Sequence, residues 1–74
     1  MSAETDARTR LLAYYDETVR KLEAEVERLR EELGQAADPL NRQKLQGRIT
    51  RFLSIVDDNR RKAGRIRAAA SDQA

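Results

Sequence analysis

Leu33-Gly34-Gln35-Ala36-Ala37-Asp38-Pro39-Leu40 is the stretch that decides the fold. Asp38 followed by Pro39 reads as a helix start. The Asp carboxylate accepts from N–H groups of the first turn, and proline sits at the one helical position where a missing N–H does no harm. Gly34, just upstream, is the residue type that closes a helix in the left-handed conformation, and the sequence predicts that role for it. A link this short returns the chain on itself as two antiparallel neighbours.

Outward from the link, both flanks carry a heptad ladder. The first is Leu12, Tyr15, Val19, Leu22, Val26, Leu29 and Leu33, and the second is Leu45, Ile49, Phe52, Val56, Asn59, Ala63, Ile66 and Ala70. Alternating steps of three and four align one apolar stripe along each helix, which must pack on another helix. The expected fold class is all-α. It is an antiparallel helical hairpin over 1–74, with a helix at about 4–33, a turn at 34–38, a helix at about 39–70 and a frayed tail at 71–74. Ser2, Thr5 and Asp6 are the candidate caps of the first helix. The pairing expected across the seam sets Leu33 against Leu40 and Leu29 against Leu45. Leu22 falls near Ile49 and Phe52, Val19 near Phe52 and Leu53, Tyr15 near Val56, and Leu12 opposite Asn59. Asp16–Arg20 and Glu17–Lys21 are expected as i,i+4 ion pairs on the outer faces.

A single bundle is expected to grow from this hairpin. Two helices bury only the stripe between them, and the cost of ordering roughly cancels the return from burial. Leu11 and Tyr14 in the first helix, and Leu53 and Ile55 in the second, are apolar residues off the seam, and they widen the apolar face in the middle and at the open end. Contiguous exposed apolar surface marks interfaces. The expectation is a homodimer forming a four-helix bundle, with another protein's helix as the alternative way to complete the core. Its interface residues are Leu11, Tyr14, Tyr15, Phe52, Leu53, Ile55 and Val56. Asn59 at a seam position is a candidate register-fixing residue, with Tyr15 as its hydrogen-bond partner.

Charge is distributed unevenly beneath a net +2. Residues 1–41 hold six Arg/Lys against ten Asp/Glu, and residues 42–74 hold nine against three. Folding back pairs an acidic helix with a basic one. Arg60, Arg61, Lys62, Arg65 and Arg67 concentrate positive charge beside Arg8 and Arg10 at the open end. They form a candidate anion or nucleic-acid contact, because clustered arginine suits phosphate. The alternative for the same residues is helix-dipole complementation and pairing with carboxylates.

Catalytic chemistry finds little footing here. The chain has no histidine and no cysteine, which removes the commonest general base, the commonest metal ligand and all thiol and disulfide chemistry. Glu23, Glu27 and Glu31 share one helical face and Asp57-Asp58 are adjacent, but helical metal bundles draw on Glu-x-x-His motifs that this chain lacks. Thr50 and Ser54 have no base to activate them. No apolar run approaches the roughly 18–20 residues that span a bilayer, and no signal peptide is evident at the N-terminus. The expectation is therefore a non-enzymatic interaction module, cytoplasmic, with no cofactor, no metal, no small-molecule substrate and no membrane attachment. Its functional classes are an adaptor, chaperone or regulator that binds protein or, as the alternative, a small nucleic-acid-binding regulator.

In length and helix layout the chain resembles the small hairpin regulators of plasmid copy number, which dimerise and bind RNA. It also resembles the helical-hairpin co-chaperones of type III secretion needle subunits. These resemblances imply a helical hairpin that acts by binding, and they carry no functional residue onto this sequence.

Overall fold

The computed structural model describes residues 3–72, with side chains described to residue 70. Two helices, α1 (Ala3–Gln35) and α2 (Pro39–Asp72), form an antiparallel hairpin about 55 Å long. Both ladders point inward. Val26, Leu29, Leu45 and Ile49 form the main buried cluster, with Leu33, Ala36 and Phe52 packed against it. Val19, Val56 and Ala63 extend the buried seam toward the open end. Among the described residues, only Leu29 is fully closed off from solvent.

The start of α2 follows the sequence. The Asn41 N–H donates to Asp38 Oδ2 at 3.0 Å, and the Arg42 N–H donates to the Asp38 carbonyl at 3.0 Å, so Asp38 caps and Pro39 opens the first turn. The end of α1 differs from expectation. No glycine has positive φ, and α1 runs through Gly34 to Gln35. Carbonyls at the end of α1 and in the link are met from α2: Arg42 Nη1 donates to Leu33 O at 2.7 Å and to Ala36 O at 3.0 Å. The Ala36 N–H adds a longer, three-residue turn bond to Leu33 O at 3.3 Å. A cation at the carboxyl end of α1 also complements the dipole of a helix whose last turn has no basic residue of its own.

Leu29 and Leu45 share the main buried cluster, as their expected pairing has it. Nearer the open end, Tyr15 and Val19 line a cleft with Asn59 and Ala63. Leu40, expected against Leu33, is 59 % exposed. It lies on the outward face of α2, which the heptad phase of Leu45 and Ile49 itself implies. Helix α2 continues to Asp72, past the expected end near residue 70. Residues 1, 2, 73 and 74, and with them the Ser2 cap and the end of the frayed tail, lie outside the described residues.

Candidate interaction surfaces

Heptad phase divides the hairpin into two flanks. In an antiparallel pair the e positions of the two helices face each other on one flank, and the g positions on the other. Asp16 and Glu23 fall at e in α1, and Arg60 and Arg67 at e in α2. Arg67 Nη2 donates to both carboxylate oxygens of Asp16, at 3.0 and 3.1 Å, and Arg60 bridges to Glu23. These bonds replace the expected Asp16–Arg20 pair. Arg20 instead approaches Glu17 at 3.6 Å, so the expected Glu17–Lys21 pair gives way as well. The cross-helix bridges are exposed, so each contributes little, and Asp16, Arg60 and Arg67 also line the cleft of Tyr15, Val19, Asn59 and Ala63.

The basic cluster of α2 is divided by these contacts. Arg61 pairs with Asp57 at 2.7 Å and Lys62 with Asp58 at 3.1 Å, each along its own helix, while Arg60 and Arg67 pair across the hairpin. Of the five residues expected to contact an anion, only Arg65 has no carboxylate partner among the described residues. The acidic residues are engaged in the same way, Glu27 with Arg30 at 3.7 Å and Glu25 and Glu32 with Arg28. The hydrogen bond from Arg28 holds the Glu25 carboxyl below its ordinary value of 4.5. Among the described residues, no group of three or more Asp or Glu is arranged to hold a metal ion.

The expected interface residues separate into three environments. Leu11, Tyr14, Leu53 and Ile55 are exposed, at 41, 63, 40 and 40 %. Tyr15 and Phe52 are half-buried, and Val56 is buried in the seam of the hairpin itself. The exposed four do not make one continuous patch. Leu11, Tyr14 and Ile55 lie on the g flank and its edge, with Ile55 about three turns from Leu11, while Leu53 lies on the e flank. Tyr15 packs beside Tyr14, their ring centroids 5.8 Å apart. Asn59 donates from Nδ2 to the carbonyl of Ile55 at 2.8 Å, along its own helix, so Tyr15 is not its partner.

Two features were not anticipated from the sequence. One is Arg42 as the cap of α1. Its signal was present: continuing the second ladder back one step from Leu45 places Arg42 on the seam, facing the end of α1. The other is a largely apolar groove at the open end, lined by Ala7, Arg8, Leu11, Arg65, Ile66 and Ala69.

No family model, curated protein or solved structure matches the chain. Among the described residues, no helix is long and apolar enough to cross a membrane.

Proposed function

We propose that this chain is a non-enzymatic helical interaction module that self-associates, most simply as a two-fold pair of hairpins in a four-helix bundle. The observation that carries this reading is the exposure of Leu53 and Ile55 beside a seam only two helices wide. Each lies immediately next to a seam position, where a second layer of helices packs in a bundle. Burying such side chains against a partner returns about 1.5–3 kcal/mol apiece at full burial, which a lone hairpin forgoes. Pairing of Arg60, Arg61, Lys62 and Arg67 with carboxylates supports protein binding over phosphate binding, because those guanidinium and ammonium groups already have anionic partners.

Light scattering on the wild type and on a Leu53→Asn, Ile55→Asn double variant tests the proposal. Neither side chain belongs to the buried cluster, so the substitutions act on association first. The wild type is expected as a multiple of the 8.5 kDa chain, with the double variant shifted to lower mass at the same concentration. A wild-type mass of one chain, or an unchanged mass in the variant, contradicts it.

A further inference from the structure

The two flanks of the open end are built differently. On the e flank, Asp16–Arg67 and Glu23–Arg60 bridge the helices with ion pairs. On the g flank no ion pair crosses among the described residues. There Ala7 and Leu11 of α1, with Ile66 and Ala69 of α2, line an open groove of about 320 Å³. Ala7 and Ala69 are small and exposed, and exposed Leu11 and half-buried Ile66 add larger apolar surface to it. Half-buried Arg8 and exposed Arg65 complete the lining, and neither has a carboxylate partner among the described residues, unlike Arg60, Arg61, Lys62 and Arg67. The groove therefore joins an apolar surface to two uncompensated guanidinium groups.

We propose that this groove docks an amphipathic helix of another protein whose apolar stripe is flanked by Asp or Glu. A helix presents apolar side chains at i, i+3, i+4 and i+7 to such a surface, and carboxylates beside that stripe meet Arg8 and Arg65 in forked, charge-assisted hydrogen bonds. The groove is too open to enclose a small molecule. Charge also selects against a second copy seated groove to groove, since that arrangement sets Arg8 and Arg65 of one chain against those of the other. The proposal rests on the reading of the chain as a binding module and is independent of its self-association.

Fluorescence anisotropy with the full-length protein tests it. The probe is a labelled synthetic helix with a leucine stripe flanked by glutamates, compared with the same helix carrying lysines in their place. The glutamate helix is expected to bind and the lysine helix is not. Affinity is expected to fall as salt rises, and an Arg8→Glu, Arg65→Glu double variant to weaken binding about tenfold or more. Arg51→Glu, away from the groove, leaves binding unchanged. Circular dichroism of each variant separates lost docking from lost folding, and Ala69→Glu supplies a second block of the same groove at an exposed position. Absent binding, equal binding of the two helices, or indifference to both groove variants overturns the proposal. So does a labelled RNA oligonucleotide that binds more tightly and is lost in the same double variant. A fall in light-scattering mass on Arg8→Glu, Arg65→Glu without peptide assigns the groove to a second copy and also overturns it. A wild type that is monomeric yet binds the glutamate helix removes self-association and leaves this proposal standing.

Discussion

Around the turn, Val26, Leu29, Leu45 and Ile49 close on one another, Phe52 and Leu33 cover them, and Asp38 and Arg42 cap the helix ends. Beyond Val56 the same heptad continues through Asn59, Ala63 and Ile66, of which only Ala63 is buried. Small and polar side chains there leave a cleft on one flank and a groove on the other. One periodicity thus builds a closed half and an open half. The difference lies in side-chain volume at the seam, since a heptad orients residues toward a partner and leaves the filling to their size. The closed half is the part of the hairpin equipped to hold the fold, and the open half is the part with surface left to offer.

Truncation of a seam residue in each half gives the widest contrast. Leu29→Ala, at a fully buried side chain, is expected to cost about 2–5 kcal/mol, enough to abolish the cooperative melt of so small a domain. Ile66→Ala, half-buried at the groove, is expected to cost only about 1 kcal/mol. Urea denaturation followed by circular dichroism checks both, and equal losses would erase the distinction between the halves. Next in size is Arg42→Met, which keeps the apolar stem and removes the donors to Leu33 O and Ala36 O. A loss of about 1–2 kcal/mol is expected, confined in hydrogen exchange to the end of α1 and the turn.

Gly34→Ala is a smaller change with a decisive sign. A left-handed glycine cap would make it destabilising. With Gly34 helical and open space where a Cβ would stand, it is expected to stabilise by about 0.5–1 kcal/mol. The smallest effect concerns the Arg28 bridge on the closed half. Glu25 is held below 4.5 by its hydrogen bond from Arg28, so the pair's contribution is complete above that ordinary value and disappears as pH falls through the lowered folded value. Glu25→Gln is expected to flatten the melting temperature across that acid window, and an unaltered pH profile would remove the bridge from the account.

Helix identity, antiparallel return and the Asp38 cap were legible because each depends on local chemistry: ladder spacing, link length and one side chain accepting from a first-turn N–H. The α1 terminus was less so. It is met by Arg42 reaching across the turn, a contact between residues nine apart that no propensity encodes. The surface was half legible. Leu11, Tyr14, Leu53 and Ile55 stood out as off-seam apolar residues and are exposed. Their division between two flanks follows from heptad phase, which the composition of the stripe alone conceals. The basic segment looked uniform in sequence, and only folding separated Arg65 from four neighbours that meet carboxylates.

Thermal melting of the wild-type chain across a wide range of protein concentration addresses the central claim most directly. Where folding is coupled to association, the midpoint depends on concentration. A midpoint that climbs steadily with concentration is the predicted result. One cooperative transition whose midpoint stays fixed down to the highest dilution would contradict the account, because it would show a solitary hairpin holding itself together.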